Sequence, residues 1–138
     1  MASFSANVLK STPVLFVDQV EPCAAFWRER FGFRATIEVP GKSGAAYVQL
    51  EAGAVELMYQ SFESLEAESA ELRAAARAGK SFLYVEVPDV RAALAACAGL
   101  PLVKAMNDTF YGAREFTLRD PGGHVVTFAQ QGAAAPLS

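Results

Sequence analysis

Strict alternation of apolar and polar residues, once in each half of the chain, sets the frame. Between residues 45 and 60, Ala46, Val48, Leu50, Val55, Leu57 and Tyr59 fall on one side, and Tyr47, Gln49, Glu51, Glu56, Met58 and Gln60 on the other. A period of two is the mark of half-buried strands, here Ala45–Glu51 and Ala54–Gln60 about an Ala52-Gly53 turn. The second half repeats the pattern around Asp120-Pro121-Gly122-Gly123, with Phe116, Leu118, Val126 and Phe128 on the apolar side. Glu115, Thr117, Val125, Thr127 and Ala129 face the other way on strands Arg114–Arg119 and Val125–Gln130. Further strand signals lie at Phe33–Val39 and Leu102–Met106.

Each set of strands follows a shorter strand and a helix. Leu15–Val20 leads into an apolar helical stretch that stops at Gly32, and Val85–Val90 leads into one that stops near Gly99. In each half an acidic residue, Asp18 or Asp89, stands where it can cap the helix. Pro22 suits a first helical turn, and the glycines suit the left-handed residue that ends a helix. The predicted order is βαβββ twice, over 13–60 and 81–130. Between them, 62–78 reads as a charged, alanine-rich connecting helix ended by Gly79, its charges a solvated face. Residues 1–10 and 132–138 read as mobile ends.

Composition narrows the class. A chain of 138 residues with 52% hydrophobic and 20% charged content fits one globular domain, 1–138. A net charge of −3 argues against nucleic acid, whose binding needs a clustered basic face, and no run is apolar enough to cross a bilayer. Residues 1–10 lack the pattern of a signal peptide. Cys23 and Cys97 read as buried thiols in a reducing compartment, so a cytoplasmic location is expected.

Candidate chemistry collects on the polar strand faces. Phe16, Tyr47, Phe82 and Tyr84 would share that side with Glu56, Glu86 and Glu115, which mixes aromatic rings with carboxylates. The only histidine, His124, sits at the turn, where it reads as hydrogen-bonded locally or exposed. One histidine so placed makes neither a Ser-His-Asp nor a Cys-His arrangement, so no catalytic residue is assigned.

Ala24-Ala-Phe-Trp-Arg-Glu-Arg-Phe-Gly-Phe33 after Val17-Asp18, with Gly112-Ala-Arg-Glu-Phe-Thr-Leu-Arg-Asp-Pro-Gly-Gly-His124, resembles the glyoxalase/bleomycin resistance/dioxygenase superfamily. The resemblance runs over about 12–130, and the internal repeat supports it. It implies an α+β fold of paired βαβββ modules, about 12–60 and 81–130, forming curved mixed sheets with helices on the outer face. Enzymes of that superfamily hold a divalent metal through His, Gln or Glu on the first and last strands of each module. The matching positions here are Thr12, Glu56, Phe82 and Thr127, of which only Glu56 is a ligand type. No metal and no cofactor are therefore expected.

The Pro13-Val14-Leu15 start, the Phe26-Trp27 pair and Arg114-Glu-Phe-x-Leu-Arg-Asp-Pro121 are most similar to the bleomycin resistance protein type. That type implies a metal-free homodimer holding a planar, cationic antibiotic in a cleft between subunits. Ligand contacts are then expected from Phe33, Tyr47, Glu56, Met58, Phe62, Tyr84, Glu86, Phe110, Tyr111 and Glu115. Aromatic rings would stack on the ligand and carboxylates would attract its charge. Those proteins are more acidic than this chain and lack its 62–78 helix, which leaves bleomycin itself unassigned. Two other classes stay open. One is a lyase or isomerase using Glu56 and neighbouring carboxylates, or an atypical metal site, with Tyr47 or Tyr84 as proton donor. The other is a structural or regulatory dimer.

Overall fold

The alternating stretches pair into two four-stranded sheets with the same strand pattern. They are seen in a computed structural model that describes residues 9–134. The expectation of mobile ends therefore falls partly outside the described residues, for 1–8 and 135–138.

The first sheet contains β1 (Val14–Val17), β2 (Arg34–Pro40), β3 (Ala45–Ala52) and β4 (Val55–Ser61), in the order β1-β4-β3-β2. The second contains β5 (Phe82–Glu86), β6 (Leu102–Asp108), β7 (Arg114–Arg119) and β8 (Val125–Gln130), in the order β5-β8-β7-β6. In each, the first strand runs parallel to the last and the remaining pairs are antiparallel. Both sheets are thus mixed, and the fold is α+β, as the resemblance implied. Register slips bend the two outer strands, between Ala35 and Ile37 in β2 and along β6.

Helix α1 (Val20–Phe31) lies on the apolar side of the first sheet and α3 (Val90–Ala96) on that of the second. The faces read from alternation are the ones observed: Val48, Leu50, Leu57 and Tyr59 are buried with Phe116, Leu118, Val126 and Phe128 in one contiguous core. Trp27 and Phe31 of α1 pack on Phe128, which stacks on Phe116 at 5.3 Å, so rings from both modules share that core.

Local chemistry departs from expectation at three places. The β3–β4 loop is Gly53-Ala54 rather than Ala52-Gly53, because Ala52 still pairs with Val55 and Gly53 takes the left-handed φ of 57°. Asp89 caps α3 through Arg91 N and Ala92 N, but α1 begins after Gln19 with no side-chain cap. Gly32 ends α1 in the left-handed conformation, as expected. The 62–78 stretch is not one helix. It divides into a 3-10 turn, Phe62–Leu65, capped by Ser61, and α2 (Ala70–Arg77), capped by Ser69 and ending at Ala78.

The Asp120–His124 turn joins the modules. The buried Asp120 carboxylate accepts from the Tyr59 hydroxyl at 2.5 Å and from Gly122 N and His124 N at 3.0 and 2.8 Å. Trp27 Nε1 donates to the same Tyr59 oxygen at 2.8 Å. Burial, with the Asp120 charge behind it, holds the Tyr59 phenol far above its ordinary pKa, so it acts as a donor.

The expectation that His124 is exposed or bonded within its turn is overturned: it is 2% exposed and reaches across the fold. Its Nδ1 accepts from Ser81 N at 2.8 Å, which leaves the proton on Nε2, facing Phe16 O at 3.0 Å. A ring beside the entry of β5 and against β1 therefore ties the second module to the first.

Candidate functional site

The polar face of the first sheet carries Tyr47, Glu56 and Met58, with Phe16, Gln49 and Gln60 around them. Glu56 is already matched. Its Oε1 accepts from Lys10 Nζ and Thr12 Oγ1, both at 3.0 Å, and its side chain is 16% exposed. The hydrogen bond from Lys10, supported by Thr12, holds its carboxyl below the usual carboxylate range. Tyr47 and Phe16 both neighbour Gln60 in register, making a half-buried aromatic row beside it.

Phe62 belongs to a different group. Its ring stacks on Phe16 at 6.4 Å, and the Arg77 guanidinium lies 4.1 Å from its centroid. Both groups on this side that would meet a planar cation, the Glu56 carboxylate and the Phe62 ring, are thus engaged by the chain's own cations. Phe33 is set apart. It packs against Trp27 with ring centroids 5.1 Å apart, at the edge of the core.

The polar face of the second sheet is different. Tyr84 on β5 and Tyr111 in the β6–β7 loop both donate to Glu115 Oε2 on β7, at 2.8 and 2.5 Å. Gln131 Nε2 donates to the Tyr84 oxygen at 2.9 Å, so Tyr84 relays between an amide and a carboxylate. Desolvation and the Glu115 hydrogen bond raise the Tyr84 phenol well above its ordinary value. Among the described residues Glu115 has no cationic partner. The cation next to it in sequence, Arg114, is held instead by Asp108 through two hydrogen bonds.

Exposed aromatic rings adjoin this carboxylate and continue along β5. Phe82, on the same side of β5 as Tyr84, is 80% exposed; Phe110, edge-on to Tyr111 at 5.1 Å, is 70% exposed. Glu86 lies on the same face of β5, exposed. The structure thus brings Tyr84, Tyr111 and Glu115 into hydrogen-bonding contact, with Phe82, Glu86 and Phe110 in the surrounding elements. Of the rest of the expected set, Tyr47, Glu56 and Met58 lie on the first sheet, Phe62 in the 3-10 turn that follows it, and Phe33 against the core. Gln131 was missed because it follows the last strand, where nothing in the sequence marks it.

The four positions that the resemblance implies for a divalent metal do not fit one. Thr12 donates to Glu56, Thr127 pairs with Thr117 at 2.7 Å, and Phe82 offers only a ring. A single carboxylate with two hydroxyls is a poor donor set, and among the described residues no three His, Cys, Asp or Glu side chains converge as ligands. Cys23 cannot supply a thiolate readily, since burial pushes its thiol up to about 12.

Among the described residues no helix is long and apolar enough to cross a membrane. Known proteins share this architecture. TioX from Micromonospora sp. ML1 superposes with a TM-score of 0.70 at 22% identity, over 88% of this chain and 99% of that one. Lactoylglutathione lyase from Agrobacterium tumefaciens gives 0.70 at 17% identity, over 90% and 95%. TnmS3, an antibiotic binding protein from Streptomyces sp. CB03234, gives 0.60 at 19%, over 90% and 98%. At such identities the likeness is one of fold, and a lyase and an antibiotic binder stand side by side in it. No curated protein sequence matches the chain significantly. A family profile does match, over residues 10–128, and with the paired βαβββ sheets it fixes the assignment: the chain belongs to the glyoxalase/bleomycin resistance protein/dioxygenase superfamily.

Proposed function

We propose that this chain is a metal-free binding protein for a small planar cation, held against the open face of the second sheet and covered there by a second copy of the chain. The observation that carries this reading is the Glu115 carboxylate. Two tyrosine hydroxyls fix it, no cation neutralises it among the described residues, and exposed aromatic rings adjoin it. A carboxylate held by neutral donors keeps its charge for a ligand. The rings of Tyr84, Tyr111 and Phe110 offer the flat surface on which a heterocyclic cation is stabilised by stacking and by its attraction to the ring faces. TnmS3, which shares the fold, is an antibiotic binding protein, so a small-molecule ligand is in keeping with this architecture.

A lyase or isomerase with Glu56 as its base is less well supported. A carboxylate matched by Lys10 and Thr12, with its pKa lowered, is a weaker proton acceptor than an unpaired one.

Calorimetric titration with 9-aminoacridine, a planar cation at neutral pH, and with 9-anthracenecarboxylate, an anion of similar shape, tests the proposal. The cation is expected to bind and the anion to bind at least about tenfold more weakly, a difference of about 1.4 kcal/mol. Glu115→Gln should remove most of that preference while Glu56→Gln leaves it in place. Equal binding of the two probes, or a preference that survives Glu115→Gln, would refute it.

A further inference from the structure

A second cluster lies away from Glu115, at the carboxyl ends of the parallel strands β1 and β4. There the chain leaving β1 at Asp18, the 3-10 turn after β4 and helix α2 enclose an open cavity of about 320 Å³. Its chemistry-bearing walls are Asp18, Phe62, Glu63, Glu66, Arg73 and Arg77.

The hydrogen bonds of these groups show which of them are committed. Both Glu63 oxygens are occupied, one by Ser43 N at 3.1 Å and one by Ser43 Oγ at 2.8 Å. Glu66 is paired with Lys42 Nζ at 3.1 Å. Arg73 uses one nitrogen on Glu66 O at 3.3 Å. Arg77 rests on the Phe62 ring and, among the described residues, has no carboxylate partner; Asp18 has neither an ion pair nor a side-chain hydrogen bond there. A guanidinium carries five N–H donors in a planar fork suited to a carboxylate. Arg73 and Arg77 are four residues apart, so both forks project from one side of α2. The cavity therefore has two cations with unspent donors on one wall and one unspent carboxylate on another.

Helix α2 itself points the same way. None of its residues is fully buried, and it touches little besides the 3-10 turn, so core packing does not account for its position. Its serine cap and the Arg77–Phe62 contact hold the two arginines over the cavity. A bare dianion would meet three carboxylates in this lining, and a bare cation would meet two guanidiniums. A molecule carrying both charges meets a partner at each end.

We propose that this cavity binds a small zwitterion of the amino-acid class, its carboxylate on Arg73 and Arg77 and its ammonium on Asp18. The site is independent of the Glu115 site. NMR titration of the ¹⁵N-labelled chain with each of the twenty common amino acids tests it. At least one should produce saturable shifts confined to the amides around Asp18, Phe62 and α2. Its N-acetyl and amide derivatives, each lacking one charge, should bind at least tenfold more weakly. Asp18→Asn should abolish discrimination against the N-acetyl form only, and Arg73→Gln with Arg77→Gln discrimination against the amide only. All three positions are exposed and outside the core, so these variants should keep the cooperative melting of the wild-type chain and the shifts caused by 9-aminoacridine. No localised shift from any of the twenty, or blocked derivatives that bind as well as the free amino acid, would overturn the proposal.

Discussion

At Glu56 the carboxylate is engaged by Lys10 and Thr12, and this has a consequence in pH. The hydrogen bond from Lys10, with that of Thr12, lowers the folded-state pKa of Glu56 below its unfolded value. A depressed carboxylate stabilises the fold above the unfolded pKa, about 4.3 for glutamate, and that contribution is lost as pH falls through the folded pKa. Lys10→Ala should move the Glu56 titration, followed by carboxyl-carbon NMR, back up toward that ordinary value, with Thr12 keeping part of the shift. An unchanged titration in the variant would show that Lys10 does not hold this carboxylate in solution. Glu115 differs because neutral phenols hold it, and the two residues could not have been ranked from a strand pattern in which both simply face outward.

At the level of elements, the turn between β7 and β8 is fitted against the first module at Gly122. A Cβ there would lie 2.3 Å from Val17 Cγ1 and 3.2 Å from Cys23 Sγ. Val17 is buried, and a branched side chain has little freedom to move aside. Gly122→Ala should therefore cost about 1–3 kcal/mol, the usual range for overpacking, read as a lower denaturation midpoint. In a Val17→Ala background the added cost should shrink, because the clashing methyl is gone; an equal cost in both backgrounds would locate the strain elsewhere. Strands β3, β4, β7 and β8 were legible in the sequence because each buries one face, which writes a period of two into it. The junction was not. The partners of His124 lie 43 and 108 residues away, and a local reading of a histidine in a turn contains neither. The 62–78 stretch misled for a related reason: alanine and charge favour helix, but its first part is a 3-10 turn capped by Ser61, with Phe62 lying against Phe16 from β1. Arg73 and Arg77 were absorbed into a presumed solvated face, since only the fold brings Asp18 opposite them.

For the whole molecule, the distribution of exposed apolar surface sets up the last test. The helical side of each sheet is sealed into the shared core, while Phe82, Tyr84, Phe110 and Tyr111 remain exposed on and beside the second sheet, with Leu102 and Val103 on its edge strand β6. Clustered exposed aromatics of this kind mark surfaces that another molecule covers. A homodimer with two-fold symmetry would place the same patch twice in one interface and enclose ligand between the copies. Light scattering at micromolar concentration is expected to give twice the chain mass. Phe82→Glu, which sets a charge on the most exposed ring of β5, should reduce it to one chain mass and weaken 9-aminoacridine binding together with dimerisation. Phe82 makes no contribution to the core, so the variant should keep its melting cooperativity. A wild-type monomer that still binds the cation would separate the two halves of the proposal, leaving the Glu115 site intact on one chain and removing the need for a partner.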